Sequence, residues 1–362
     1  MVKLSGEVSW VDFDIMEKFM VDVFTGIGVP LEDAKVCADV LITSDKRGID
    51  SHGVNRLKPM YYDRIKKGIQ NPVTNFEIIR EGPTTAVVNG NTGMGHLVAK
   101  KAMQMAIDKA KKYGTAMVVA TNSTHFGIAG YYALMAAEAG LIGISGTNAR
   151  PSVSPTYGYE PMMGTNPLTI GMPSDEDFPF ILDPATSIIQ RGKVEVAART
   201  NTPIAEGLVI GADGDFLTDP NEILKKILDG EASLMPVGGK AETGGYKGYG
   251  YCTVVEILSA ALQGGAFLKA ITGVNLGHFF MAFDISAFTD LDEFKKSTGD
   301  ILRALRASKK IKGQDRIYTA GEKEHLAWLY RKDKGVPLNK SLQLEMIQMR
   351  DEIGLDTKFS FE

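Results

Sequence analysis

The chain has 362 residues, 44% hydrophobic and 23% charged, the composition of a globular protein with one large core or two domains. A formal net charge of −4 gives no basic footprint for nucleic acid or an anionic membrane surface. The longest apolar run, Tyr251 to Leu268, is interrupted by Glu256 and Gln263, which argues against a membrane span. Met1 to Glu7 lack the apolar core of a secretory leader, so none is expected. Cys37 and Cys252 lie in apolar helical contexts and read as buried free thiols in a reducing compartment. A cytoplasmic protein is expected.

In chain order, a first helix is expected after Ser9, with Asp12 as a capping-box-like partner. Phe13, Met16, Phe19, Met20 and Val23 recur at helical spacing, and Gly26 to Pro30 break the pattern. A second helix is expected from about Leu31 to Arg47, stopped by Gly48, and a further short one ends near Gly68. After Pro72, β-rich runs (84–89, 116–121, 142–147 and 168–172) alternate with long helical patterns, which indicates an α/β domain. Gly90-Asn-Thr-Gly-Met-Gly95 lies between a strand and a helix but has the wrong glycine spacing for a dinucleotide fingerprint. The strand that follows ends in Thr121-Asn122, where that fingerprint would have an acidic residue, so a classical Rossmann assignment is rejected. The glycines are expected to allow close packing at a helix entry instead.

The segment Asp183-Pro-Ala-Thr-Ser-Ile-Ile-Gln-Arg-Gly-Lys193 follows the apolar run Phe180 to Leu182. Asp at an N-cap and Pro at the first helical position predict a helix starting there, with an anion-ready end. Gly211 to Asp215 reads as a hairpin turn. Gly244-Gly-Tyr-Lys-Gly-Tyr-Gly250 reads as a flexible glycine-rich stretch leading into an apolar helix from about Cys252 to Gln263, with Glu256 as a candidate buried counter-charge for Lys247. A strand-like run covers Gly277 to Asp284, and the remainder is charged and helical. The expected architecture is α/β: a sheet domain over residues 77–288 and a helical domain built from both termini, residues 1–76 and 289–362.

Two of the five histidines sit among glycine and hydroxyl or amide residues: His52 at a helix exit and His125 just past an apolar strand. No His-x-x-x-His, close cysteine pair or dense carboxylate cluster is present, so no metal is expected. No Gly-x-Ser-x-Gly elbow supports a serine hydrolase. An acid–base histidine, an arginine, a lysine among glycines and an anion-ready helix end suit reversible oxidation of a hydroxy acid by a nicotinamide cofactor. There the cofactor moves hydride, histidine moves the proton and arginine fixes a carboxylate.

The ordered set Ser51-His-Gly-Val-Asn-Arg56, Ser123-Thr-His-Phe-Gly127, Gly164-Thr-Asn-Pro167, Asp183-Pro-Ala-Thr-Ser187, Gly192-Lys193, Tyr246-Lys-Gly-Tyr-Gly250 and Ala320-Gly-Glu322 resembles the type-2 malate/L-lactate dehydrogenase family over nearly the whole chain. That family is unrelated to the Rossmann-fold malate dehydrogenases. The resemblance implies a homodimer with a non-Rossmann nicotinamide-binding sheet domain beside a helical domain. It implies proton transfer by His125, with His52 as the alternative or an orienting group. Arg56 and Tyr61 match substrate-contacting positions, and Arg150 is a second candidate for a carboxylate. Asp183, Pro184, Ala185, Lys247, Gly248, Gly321 and Glu322 match cofactor contacts.

The run from Arg56 to Tyr61 is one residue longer than the usual family spacing, which weakens the alignment of Arg56. Malate and oxaloacetate are the leading substrate pair. The alternatives are lactate-, sulfolactate-, diketogulonate- or ureidoglycolate-type acids or a cyclic imine, and, in another class, a non-catalytic protein binding an anionic metabolite. NAD is the expected cofactor, with NADP left open.

Overall fold

In the computed structural model, residues 8–362 are described; the stretch 1–7, read above for a leader, lies outside them. The chain opens with β1 (Ser9–Val11), α1 (Phe13–Gly26) and α2 (Leu31–Lys46). The helix does not follow Ser9, because Ser9 to Val11 pair with the far end of the chain. Asp12 is itself the N-cap of α1, accepting from the backbone N–H groups of Asp14 and Ile15. After a 3₁₀ turn at Val54–Arg56, residues Leu57–Tyr62 form a π-helical turn leading into α3 (Asp63–Lys66). Within this wider turn Tyr61 stays in the core, where it is 0% exposed.

The middle of the chain supplies β2 (Glu77–Glu81), β3 (Thr85–Asn89), α4 (Gly95–Tyr113), β4 (Thr115–Ser123), α5 (Gly130–Glu138), β5 (Leu141–Thr147), β6 (Leu168–Met172) and β7 (Phe180–Leu182). Next come α6 (Arg191–Arg199), β8 (Val209–Gly211), α7 (Pro220–Asp229), β9 (Ala232–Leu234), α8 (Gly245–Ala260) and β10 (Leu276–Asp284). The chain closes with α9 (Leu291–Ala307), α10 (Glu322–Arg331), β11 (Val336–Leu338) and α11 (Lys340–Ile353). The expected strands at 84–89, 116–121, 142–147, 168–172 and 277–284 and the turn at 211–215 are present.

The main sheet has seven strands in the order β2-β3-β4-β10-β5-β6-β7. Only β3 and β4 pair in parallel; the other five neighbouring pairs are antiparallel. Because β10 lies antiparallel between β4 and β5, those two strands end at the edge where β10 begins. Antiparallel β6 begins at that same edge, and β7, antiparallel to β6, ends there. One edge therefore collects the segments after Asn89, Ser123, Thr147 and Leu182 and those before Leu168 and Leu276.

The two chain ends meet. β1 pairs with β11, and one buried cluster joins Phe13, Phe19, Phe24 and Leu41 to Leu342, Met346 and Phe359. A second cluster fills the space between the sheet and helices α4 and α5, including Val88, Val118, Tyr132 and Phe280. A smaller third core, with Val153, Val194, Ile223 and Leu234, covers the insertion between β7 and α8. Among the described helices none is long and apolar enough to cross a membrane. Cys37 and Cys252 are free and buried, on α2 and α8.

Two local expectations fail here for stated reasons. No helix begins at Asp183: residues 183–190 are irregular, and α6 starts at Arg191 with Gln190 as its cap. The Asp183 carboxylate is claimed by tertiary partners, accepting from the Gly130 N–H at 2.9 Å and the Thr169 hydroxyl at 2.8 Å, so it caps α5 instead. The glycine-rich stretch is not a flexible lead-in, because α8 begins at Gly245, inside it. A Cβ on Gly245 would lie 1.9 Å from the Gly239 carbonyl oxygen, and one on Gly248 would lie 2.1 Å from that of Val237. Glycine is needed so that the first turns of α8 can lie against another backbone.

Candidate active site

His125 leaves the end of β4 in a short loop that α4 supports from below. Thr124 receives the Gly95 N–H on its hydroxyl and donates to the Gly93 carbonyl. A Cβ on Gly95 would come within 2.5 Å of the His125 carbonyl oxygen, so the glycine expected to permit close packing does so directly beneath the histidine. His125 Nδ1 meets the Tyr61 hydroxyl at 2.6 Å and receives the Gly127 N–H at 3.3 Å.

His52 comes from the loop after α2. Its ring lies nearly parallel to that of His125, 5.7 Å between centroids, and its Nδ1 is 2.9 Å from the Ser51 hydroxyl. The loop is pinned from both sides. Asp45 accepts from the Val54 N–H, while Arg331 of α10 grips the Asp50 carboxylate through both terminal nitrogens and donates to the Asp45 carbonyl. The structure thus brings together the two histidines singled out in the sequence, from segments more than sixty residues apart. It adds His96, at the start of α4, whose ring is 4.6 Å from that of Tyr61.

Two arginines border this cluster, and a third lies beside the second of them. Arg56 donates from Nε to the Ser51 carbonyl at 2.6 Å. Arg64, which the sequence reading missed, lies three residues beyond Tyr61 and donates to the Gly273 carbonyl at 2.9 Å. Helical spacing from Tyr61 was the one available clue to it. Arg150 extends from the loop after β5 and packs against Gly273: a Cβ there would lie 3.1 Å from Arg150 Cδ.

Burial pushes His125 well below the usual imidazole range, with His52, His96, Arg56 and Arg64 adding repulsion. Burial, reinforced by Arg56, lowers His52 to about 4. Both rings are neutral near pH 7, in surroundings that favour an incoming anion: a bound negative charge would offset the arginines and raise His125 towards neutrality.

Of the residues expected to contact a cofactor, Asp183 stands at the edge that carries His125, whereas Gly321 lies at the opposite end of β7. Asp183 hangs from the end of β7 and is tied through Gly130 to the segment that follows His125. Gly321, with φ of +90°, packs against the start of β7, where a Cβ would meet the Pro179 carbonyl oxygen at 2.6 Å. Glu322 accepts from Arg316 and from the Thr319 N–H, so its carboxylate organises the entry to α10. Pro184 accepts from the Leu168 N–H, and Thr186 accepts on its carbonyl from the Val237 N–H. Ala185 thus lies in a strip leading to Gly248, which abuts Val237.

Lys247 stands in the first turn of α8 and makes no ion pair among the described residues; its ammonium lies 5.8 Å from the Tyr246 ring centre. Glu256 is not its counter-charge, being committed to the Asn166 amide at 2.7 Å and the Leu268 N–H at 2.8 Å. An unpaired ammonium at a helix N-terminus is a donor fit for phosphate oxygens of a dinucleotide; Ser187, whose hydroxyl is buried and unpartnered, bridges to Pro236, next to the Val237 that abuts Gly248. Among the described residues no group of three His, Cys, Asp or Glu side chains could hold a metal ion.

Residues 11–346 match the family of malate/L-lactate dehydrogenases. The chain belongs to that family. It is 42% identical over 349 residues to the malate dehydrogenase of Pyrococcus horikoshii, covering 95% of each protein. To the L-sulfolactate dehydrogenase of Methanocaldococcus jannaschii it is 37% identical, over 94% of this chain and 96% of that one. The crystal structure of malate dehydrogenase from Entamoeba histolytica superposes with a TM-score of 0.94 at 46% identity, over 96% of this chain and 99% of that one. Family membership makes the chain a dehydrogenase that works with a nicotinamide cofactor.

Proposed function

We propose that the protein interconverts malate and oxaloacetate with NAD(P), NAD being the expected partner, and that His125 carries the proton. The observation that carries this reading is His125 at the strand edge, its Nδ1 bonded to Tyr61 and its ring bordered by Arg56 and Arg64, which form no ion pair with Asp or Glu among the described residues. The cofactor supplies or accepts the hydride. Towards oxaloacetate, His125 gives a proton to the carbonyl oxygen as it becomes a hydroxyl; in the reverse direction it takes that proton back. Arg56, beside both histidines, suits the carboxylate next to the reacting carbon. His52, low in pKa and stacked on His125, serves as an orienting group.

The mixed sheet and the absence of a dinucleotide fingerprint support a non-Rossmann cofactor site along Asp183, Pro184, Ala185, Lys247 and Gly248, closed by Gly321 and Glu322. The shared core of the two chain ends supports a helical domain built from both termini. The α8 surface leaves Tyr251, Val254 and Ile257 60%, 47% and 53% exposed, with Leu262 and Phe267 beyond it, a face suited to a homodimer. Buried free thiols fit the reducing cytoplasm.

Initial rates of NADH and NADPH oxidation with oxaloacetate, pyruvate, sulfopyruvate, a diketogulonate and a cyclic imine test the substrate. Oxaloacetate is expected to give the highest kcat/KM, and preference for any other compound overturns the malate assignment.

A further inference from the structure

The charged groups around His125 fall into a sequence. His52 is affected by Arg56, whereas Tyr61 and His125 are affected by both Arg56 and Arg64. Arg64 in turn is lowered by burial and by Arg150. Arg64 and Arg150 converge on opposite features of one residue: Arg64 Nη1 binds the Gly273 carbonyl, and the Arg150 side chain lies along the Gly273 Cα. Gly273 has φ of +94° and precedes β10, at the sheet edge from which His125 and Arg150 both emerge.

Two guanidinium groups that meet at one residue, Arg64 half-buried and Arg150 exposed, repel each other. Such an arrangement is ordinarily offset by a carboxylate, yet among the described residues no Asp or Glu forms an ion pair with Arg56, Arg64 or Arg150. Asp63, the nearest acid in sequence to Arg64, is paired with Lys58 at 2.8 Å. The Gly273 carbonyl oxygen and the Met60 sulfur each take one of Arg64's five donors, and both are neutral, which leaves its charge uncompensated. A structural role would be met by those two bonds to neutral acceptors and does not account for two adjacent cations without an anion among the described residues.

We propose that Arg64, with Arg150 beside it, is a specificity-determining anchor for the second anionic group of a substrate whose first carboxylate is held by Arg56. This rests on the dehydrogenase reading and deepens it: the class favoured is a 2-oxo or 2-hydroxy acid with a further carboxylate or sulfonate, in preference to a monocarboxylate. Because Arg64 also lowers the His125 pKa, filling the anchor relieves repulsion on the imidazole, so the distal group of the substrate helps to set the proton-carrying residue. Carboxylate and sulfonate present the same acceptor oxygens and are separated by the assay.

The test compares wild type with Arg64→Met, Arg64→Lys and Arg150→Met on oxaloacetate, sulfopyruvate and pyruvate, with calorimetric binding of L-malate and L-lactate to the same proteins. A charge-assisted hydrogen bond corresponds to roughly a 10- to 150-fold change in kcat/KM. Arg64→Met is expected to lose that factor on whichever dianion wild type prefers, to lose at least about tenfold less on pyruvate, and to lose the preference of binding for malate over lactate. Arg64→Lys should recover part of the dianion rate, since it keeps the charge but not the planar fork. Arg150→Met, which leaves the Gly273 hydrogen bond intact, should lower dianion turnover in the same sense.

Equal losses on oxaloacetate and pyruvate would assign Arg64 a structural role and overturn the proposal, as would a wild type that does not favour a dianion. Failure of the dehydrogenase reading has a different signature: no turnover of any 2-oxo acid. The binding preference for malate, present or absent in Arg64→Met, then still decides the anchor.

Discussion

The Tyr61 hydroxyl and Nδ1 of His125 are 2.6 Å apart, and the Gly127 N–H points at the same nitrogen. A backbone amide can only donate, so the neutral imidazole keeps its lone pair on Nδ1 and carries its proton on Nε2. Tyr61 then donates as well. When the ring is protonated, Nδ1 gains a hydrogen and the Tyr61 oxygen becomes the acceptor; the imidazolium then gives its Nε2 proton to the substrate and keeps the one on Nδ1, and the reverse reaction returns a proton to Nε2. The hydroxyl is a partner that suits both states of the proton carrier, a positioning role distinct from the substrate contact expected of it.

Tyr61→Phe is therefore expected to lower kcat by about 10- to 100-fold through loss of a hydrogen bond to a charged group. Without an acceptor for the imidazolium, the His125 pKa falls further, so the limb of the kcat/KM profile that reports His125 (acid in malate oxidation, alkaline in oxaloacetate reduction) should move to lower pH. The pH–rate profile checks both, and an unchanged limb would remove Tyr61 from proton transfer.

Asp183 joins three elements: it stands at the end of β7, caps α5 and receives the Thr169 hydroxyl. Asp183→Ala should cost about 1–2 kcal/mol of stability through loss of the cap. It should also weaken cofactor binding about tenfold or more. Quenching of NADH fluorescence measures the second effect and guanidinium unfolding the first. Weakened stability with unaltered cofactor affinity would leave Asp183 a purely structural residue.

Gly53 sits directly against Asp45; a Cβ would lie 1.9 Å from its Oδ1. Arg331 holds Asp50 on the other side of the loop, with Nη2 to Oδ2 at 2.9 Å. Arg331→Met is expected to cost about 2–3 kcal/mol, from lost hydrogen bonds to a charged group. Gly53→Ala, which must displace Asp45, should cost at least as much and shift His52. Urea unfolding and activity of the two variants check this, and full stability in either would mean that the loop is not held by this clamp.

His96 and His278 are fully buried, and burial lowers each to about 3. An unfolded imidazole titrates near pH 6.5. Between those values the unfolded chain binds protons that the folded chain does not. Stability is thus full above about pH 6.5 and declines as the pH falls towards 3, by up to about 1.4 kcal/mol per pH unit for each histidine. His96→Phe should make this acid decline shallower in urea midpoints at pH 7, 5.5 and 4.5. A curve parallel to wild type would contradict the assignment.

The alternation of strands and helices was legible because apolar, β-branched stretches such as Ala116 to Thr121 are bounded by turn residues, a local pattern. The Asp183-Pro184 step misled because its cap is claimed by Gly130, 53 positions away along the chain. The glycines from 244 to 250 looked flexible because the backbone of Val237 and Gly239 that requires them is invisible in a linear reading. His52 and His125 could be picked out by their surroundings. The Tyr61 bond to His125, across a separation of 64, could not, and neither could Arg64, whose relevance depends on which way Tyr61 faces.

The central claim is that His125 carries the proton in a nicotinamide-dependent reduction of a 2-oxo acid. The most direct measurement is single-turnover NADH oxidation by oxaloacetate in wild type, His125→Ala and His52→Ala, with NADH affinity determined in each. The account predicts that His125→Ala binds NADH as wild type does and loses about 10²–10⁴-fold in the chemical step, while His52→Ala loses much less. The reverse ranking, or unimpaired turnover in His125→Ala, would contradict it.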